Sequence, residues 1–219
     1  TFAIGFTAAG VKAGIKKSGN LDVAVIYTKT QAVVAGTFTQ NKVAAAPVYV
    51  SKEVVATGTA HAIVANAGCA NACTGQQGLD DAHKMAQIAA DELGVNANDV
   101  IVGSTGVIGV NLPMDKLEAG IKDAVAHLSA DGSDNAGRAI ITTDTHSKSV
   151  TCEFELSGKT VRMGAIAKGS GMIRPNMATM LCYITTDIAI DQALLQKAVS
   201  GCVEKSFNMI SVDGDMSTN

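Results

Sequence analysis

The chain contains no tryptophan, only three prolines, and aromatic residues at 4% of its 219 positions. With so few flat rings, a formal net charge of −3 and a pI near 5.8, it lacks the basic, stacking surface by which proteins hold nucleic acid. Long hydrophobic runs are missing too. The mean hydropathy of +0.23 comes from dispersed Ala, Val, Ile and Gly, and no stretch approaches the ~20 residues that cross a bilayer, so no membrane role is expected. The amino terminus, TFAIGFTAAGVKAGIKK, does not have the basic-then-apolar order of a secretory signal. Five cysteines (Cys69, Cys73, Cys152, Cys182, Cys202) form neither an even disulfide framework nor a zinc spacing. Reduced, mostly buried thiols in a cytoplasmic protein are the expectation. His61, His83, His127 and His146 are scattered singly, and no metal site is expected.

What is present suffices for a large core, since 47% of the residues are hydrophobic. Residues 79–93 place Ala82, Met85, Ala86, Ala89 and Leu93 on one helical face. Asp80 and Asp81 suit the positive end of that helix, and Gly94 suits a left-handed stop. Residues 117–128 and 192–203 repeat the helical spacing, the latter behind a capping Asp191. Apolar, largely β-branched runs predict strands at 23–27, 32–38, 62–65, 100–103, 150–156, 161–167 and 180–185. A hairpin is expected around Ser157, Gly158 and Lys159. Grouped helices with antiparallel pairing favour a layered α+β fold over strict alternation. No composition-based domain boundary is visible, and the polar run Ser211-Val-Asp-Gly-Asp-Met-Ser-Thr-Asn219 suggests a chain cut short.

Three glycine-containing segments each follow an apolar run: Asn66-Ala-Gly-Cys-Ala-Asn-Ala-Cys-Thr-Gly75, Gly103-Ser-Thr-Gly-Val-Ile-Gly109 and Lys168-Gly-Ser-Gly-Met-Ile-Arg-Pro-Asn-Met-Ala-Thr-Met180. The second has no Lys-Ser/Thr ending and no GxGxxG, so an ordinary turn or an oxyanion-type donor pair competes with, and outweighs, a phosphate cradle. The third brings a hydroxyl, Thr179, to the start of an apolar strand behind the small Ala178. A Thr hydroxyl there can attack its own preceding carbonyl and, after ester hydrolysis, free a Thr α-amine. Such an amine titrates near ~7.7–8.0 and can act as general base to the hydroxyl of the same residue. The plainer alternative is a β-favouring Thr with a locally satisfied hydroxyl. Cys182, Cys69 and Cys73 are rival nucleophiles, but a cysteine in an apolar strand is usually inert packing.

The string Lys168-Gly-Ser-Gly-Met-Ile-x-Pro-Asn-Met-Ala-Thr-Met-Leu181 closely resembles the cleavage-site segment of the ornithine acetyltransferases. The likeness extends to Gly5-Phe-Thr-Ala-Ala-Gly-Val-Lys-Ala-Gly-Ile-Lys16, Ala35-Gly-Thr-Phe-Thr-Gln-Asn41, the Asn66 and Gly103 loops, Thr142-Thr-Asp-Thr145 and Ser211-Val-Asp-Gly-Asp215. It implies an α/β/β/α layered sandwich of the N-terminal-nucleophile type. It implies self-cleavage between Ala178 and Thr179, dividing the chain into an α region (1–178) and the start of a β region (179–219). The implied activity is that of a glutamate N-acetyltransferase of arginine biosynthesis, which moves acetyl from N-acetylornithine to glutamate through acetyl-Thr179. In some members acetyl-CoA also serves as donor; neither metal nor organic cofactor is implied. By motif position Thr179 is the nucleophile, Thr105 and Gly106 the oxyanion pair, and Thr142, Lys168 and Thr179 the substrate-binding positions. A cation at Lys168 suits an amino-acid carboxylate. The cleaved halves are expected to assemble as an α2β2 heterotetramer, with further substrate-binding Glu, Asn and Thr beyond Asn219. The chain departs from the family pattern at Ala67 and Cys69 and at Met216, where Thr is usual. Two other readings share these residues: an aminopeptidase or amidase with water as acceptor, and an uncleaved, non-catalytic fragment.

Overall fold

A computed structural model describes residues 1–175 and 180–219. Four strands, β1 (Phe6–Val11), β2 (Val23–Val33), β3 (Thr59–Cys69) and β4 (Val100–Val107), form one sheet in that order. The first two pairings are antiparallel and β3–β4 is parallel. A parallel pair needs a long crossover, and α2 (Gly75–Leu93) supplies it. The second sheet, β5 (Lys148–Leu156), β6 (Lys159–Lys168) and β7 (Leu181–Thr186), is antiparallel throughout.

Both faces of the first half of β2 are buried, which is why Val23–Tyr27 reads as a continuous apolar run, whereas its second half, from Lys29, is largely exposed. Val23 and Val25 point with Val64 and Val100 into a core completed by Met85 of α2 and by Leu117 and Ile121 of α3 (Met114–Ala126). The alternate residues Ala24 and Ile26 face a second core with Ala65, Ile166 of β6, and Ala136 and Ile140 of α4 (Ser133–Ile140). Another helix, α1 (Ala46–Thr57), also lies against β4. Helices, first sheet and second sheet therefore stack in the layered α+β order expected, with α4 in the seam between the sheets.

Local chemistry accounts for most of the joints. Ser157 (φ 51) and Gly158 (φ 73) both take positive φ in the β5–β6 turn, the combination that matches the twist of a two-residue hairpin. Gly94 ends α2 with φ 68 and donates its N–H to Ala90 O. Asp191 caps α5 (Gln192–Glu204) by accepting from Ala193 N at 2.8 Å and Leu194 N at 3.3 Å. No helix among the described residues is long and apolar enough to cross a membrane.

Several sequence expectations are corrected. Helix α2 starts at Gly75, so Asp80 and Asp81 lie beyond its first turn and accept instead from Gln76 and Gln77 one turn earlier. The runs 23–27 and 32–38 are one strand with a register irregularity between Tyr27 and Ala32, and residues 34–38 leave the sheet. Strand β1 and helices α1 and α4 were not foreseen. Phe6–Val11 is rich in small residues, Ala46–Thr57 carries four β-branched valines, and Ser133–Ile140 is only eight residues long. The thiols are not mostly buried: Cys73, Cys152 and Cys202 are exposed, Cys182 is half-buried, and only Cys69 is buried. Cys152 lies on the open β5 strand, and Cys202 on the side of α5 that carries Leu194, which is itself 60% exposed.

Candidate active site

Strands β3 and β4 end side by side, and their carboxyl ends carry the first two glycine-rich loops. In register, Asn66 opposes Ser104, Ala67 opposes Thr105 and Gly68 opposes Gly106. The backbones nearly touch there. A Cβ on Gly106 would fall 2.4 Å from Gly68 C and 2.6 Å from Cys69 N, and Gly106 has φ +136. The buried Asn66 side chain ties the two loops by accepting from Ser104 Oγ (2.7 Å) and donating to Cys69 O (2.9 Å). Asn219 reaches the same point from the far end of the chain, its Nδ2 donating to Ala70 O (2.7 Å) and Ser104 O (2.8 Å).

From the other sheet, Lys168 at the end of β6 extends its Nζ to Thr105 Oγ1 at 3.0 Å, and both residues are buried, at 4% exposure each. Burial pushes the Lys168 ammonium below its ordinary value, against a counter-pull from Asp144 and with a further push from Lys148. Because Thr105 Oγ1 accepts from a cation, its own proton is left to be aimed elsewhere. Lys168 is also the register partner of Leu181. Strand β7 thus starts beside the Lys168 backbone.

Asp144 organises the remaining loop. It accepts from Lys148 Nζ and, at 2.8 Å, from Gly169 N, while its Oδ2 is buried without a hydrogen-bond partner. Burial raises the carboxyl, but Lys148, the Gly169 N–H and Lys168 together outweigh it, and the net direction is down. Thr143 Oγ1 and Ser170 Oγ, 2.9 Å apart, bind the same two loops together. Thr142 is half-buried, two residues before Asp144. Lys16 is close enough to feel Lys168: its Nζ donates to Leu21 O and Ala139 O, and burial, together with the Lys168 charge, lowers it against the pull of Asp22 and Asp144.

The structure thus joins Thr105 to Lys168 directly, keeps Gly106 beside them, and places Thr142 on the loop that Asp144 ties to Gly169. Ala178 and Thr179 lie outside the described residues. The rival cysteines are unpromising. Burial raises the Cys69 thiol, which donates to Val110 O, and pushes Cys182 up to about 11. No group of three or more His, Cys, Asp or Glu among the described residues could hold a metal ion. Sequence reasoning assigned no role to Asp144, Lys148, Lys16 or Asn219. Asp144 was within reach, as the one acid in the quoted Thr142–Thr145 string, whereas Asn219 is brought to the site only by folding.

A family model described as the ArgJ family matches residues 7–219. An arginine biosynthesis bifunctional protein ArgJ from Symbiobacterium thermophilum is 51% identical over 221 residues, covering 100% of this chain and 55% of the relative. The chain spans about half the length of the curated relatives it matches. Among solved structures, the bifunctional protein argJ of Bacillus halodurans matches with TM-score 0.75 and 41% identity, over 82% of this chain and 92% of that one. Ornithine acetyltransferase of Mycobacterium tuberculosis, complexed with ornithine, matches with TM-score 0.72 and 39% identity, over 82% and 94%. At the level of fold alone, an aminopeptidase of Ochrobactrum anthropi described as a variant of the Ntn hydrolase fold is similar, with TM-score 0.52 and 11% identity over 92% of this chain and 67% of that one.

Proposed function

The chain belongs to the ArgJ family, and from that premise we propose that it forms much of the acyl-transfer site of a self-cleaving glutamate N-acetyltransferase of arginine biosynthesis. The observation that carries this reading is the buried Lys168–Thr105 contact, made where β7 begins two residues after Thr179. In this reading the Lys168 cation and the Thr105 hydroxyl it polarises, with the adjoining Gly106 N–H, serve a Thr179 nucleophile.

Cleavage comes first. Thr179 Oγ bonds to the Ala178 carbonyl carbon, the peptide C–N bond breaks, and the hydroxyl proton passes to the departing nitrogen. Water then opens the ester, leaving an Ala178 carboxylate and a Thr179 with both hydroxyl and free amine. In the transfer cycle the amine takes the Oγ proton as Oγ attacks the acetyl carbonyl of N-acetylornithine. The Thr105 hydroxyl and the Gly106 N–H stabilise the oxyanion; a single donor of this kind is typically worth about 2.7–4 kcal/mol. The C–N bond to ornithine breaks as the Thr179 ammonium returns its proton to the departing nitrogen. The glutamate amine then attacks the acetyl-Thr179 ester, the C–Oγ bond breaks, and a proton from the attacking amine restores the Oγ–H by way of the Thr179 amine. Lys168, with Thr142, holds the amino-acid carboxylate. That the Mycobacterium tuberculosis relative is complexed with ornithine supports the substrate class.

One observation supports the division at Ala178: the part after the break is bound to the part before it without the peptide link. Strand β7 pairs with β6, Thr39 Oγ1 donates to Ser217 O at 2.8 Å, and Ala45 N donates to Thr218 O at 2.7 Å.

The decisive test is a denaturing intact-mass spectrum of the full-length gene product. It should show two pieces with a free Thr179 amine, reverting to one chain in Thr179→Ala, and transfer from N-acetylornithine to glutamate should vanish with the cleavage. An unbroken wild-type chain, or transfer undiminished in Thr179→Ala, refutes the reading. Hydrolysis of N-acetylornithine without stimulation by glutamate would move the assignment to an amidase.

A further inference from the structure

The Ser211–Asp215 string has no part in the chemistry above. In the structure it lies against the segment that leads into the proposed break. Asp213 Oδ2 accepts from Met172 N at 2.7 Å and Oδ1 from Ile173 N at 2.9 Å. Val212 N donates to Ile173 O at 2.9 Å, so two successive residues after the break grip two successive residues before it. Oδ1 also accepts from its neighbour Asp215 N at 3.3 Å, which fixes the carboxylate within its own turn.

The gripped segment needs holding. Met172 has φ 59, a left-handed conformation that a side chain with a Cβ disfavours. It follows Gly169-Ser170-Gly171, whose two glycines impose little order of their own. Ile173, in contrast, is 3% exposed and offers a firm anchor once its N–H and C=O are engaged. A carboxylate bridging adjacent N–H groups satisfies both donors and stabilises a turn that the local residues would not keep by themselves.

We propose that Asp213 is a positioning residue for self-cleavage, holding Met172 and Ile173 so that the Ala178 carbonyl is presented to Thr179 Oγ. This deepens, and rests on, the self-cleavage reading above. In this role Asp213 takes no proton and forms no bond; it restricts the segment five to six residues upstream of Ala178. The bond that forms and the bond that breaks are those already given, and their rate depends on how often the two atoms meet in line. Small misplacements from remote residues can cost such reactions about a hundredfold.

The test uses the full-length protein and separates the grip from the cleavage. In an uncleavable Thr179→Ala background, adding Asp213→Ala should speed hydrogen exchange at the Met172 and Ile173 amides at least tenfold, relative to unaltered amides in β6. In the Thr179 protein, Asp213→Ala should slow appearance of the Thr179 amine by about 10- to 100-fold. Asp213→Asn, which keeps the shape and one acceptor oxygen, should recover part of that rate; a merely destabilising loss would not track the acceptor in this way. Unchanged exchange overturns the grip. Faster exchange with an unchanged cleavage rate, or no recovery in Asp213→Asn, overturns the positioning role. A wild-type chain that never cleaves removes the self-cleavage reading and the positioning role together, while exchange still reports whether the grip exists.

Discussion

Replacing Gly106 with alanine isolates the feature on which the site depends most, the near-contact of two backbones. The new Cβ would lie 2.4 Å from Gly68 C, 2.6 Å from Cys69 N and 2.7 Å from Gly68 O. All three are main-chain atoms of a strand, unable to swing aside. A φ of +136 adds strain of about 1–3 kcal/mol for any residue with a side chain. Forcing a methyl into a packed contact adds about 1–3 kcal/mol more, so a loss of roughly 4 kcal/mol is expected. For a domain of this size that lowers the thermal midpoint by roughly 10 °C. Gly109→Ala is the control: its φ of +79 is also unfavourable, but nothing lies within 4 Å of the added Cβ, and a loss of about 1–2 kcal/mol is expected. The two variants are compared by urea and thermal unfolding of the full-length protein, together with transfer kinetics. With Gly106 N–H as the proposed oxyanion donor, Gly106→Ala should also lower kcat by about 10²–10³ as the loop is displaced. Equal destabilisation by the two alanines would refute the close-approach argument, and an unchanged kcat in a folded Gly106→Ala protein would remove Gly106 from the oxyanion pair.

Lys168→Met should raise KM for glutamate and N-acetylornithine at least tenfold, measured by steady-state transfer; unchanged KM values would place the carboxylate site elsewhere. The same variant has a signed pH effect. Burial lowers the Lys168 pKa in the folded state, so the unfolded chain binds more protons between that lowered value and ~10.4, and wild-type stability rises with pH there. The stability gained by Lys168→Met should therefore be greatest below the lowered folded value and shrink as pH rises from there to ~10.4, followed by urea midpoints. Asp144 titrates the other way. Its folded pKa is depressed, so its contribution is present above the ordinary value of ~3.9 and is lost as pH falls through the folded value. Asp144→Asn should destabilise at pH 7 and match wild type in acid, and a constant difference across that range would count against the Lys148 and Gly169 contacts. Cys182→Ala should retain transfer within about threefold, since a thiol pushed up to about 11 is almost wholly protonated at neutral pH; a hundredfold loss would reinstate the cysteine as nucleophile.

Local signals carried the elements that local chemistry decides. The amphipathic spacing of Ala82, Met85, Ala86 and Ala89, the stop at Gly94, the cap at Asp191 and the Ser157–Gly158 turn were all legible, because each depends on residues within a turn or two. The long string from Lys168 to Leu181 likewise marked the candidate nucleophile and cation by residue type and order. Beyond that reach the sequence was silent. Small-residue β1 and valine-rich α1 take their conformation from the surfaces they cover, which override weak intrinsic preference.

The site itself shows the same division. Lys168 was identifiable as a cation in a distinctive string, but its burial against Thr105, 63 positions away, exists only because the two sheets stack. Asp213 holding Met172 and Ile173 is likewise a contact across 40 positions that no local pattern encodes. By itself the amino-acid order determined the helical faces, the turns and the chemically competent groups, since propensity, capping and side-chain chemistry act over a few residues. Only the tertiary structure decided which of those groups meet, because burial, close backbone approach and shifted ionisation arise from packing between segments distant in the chain.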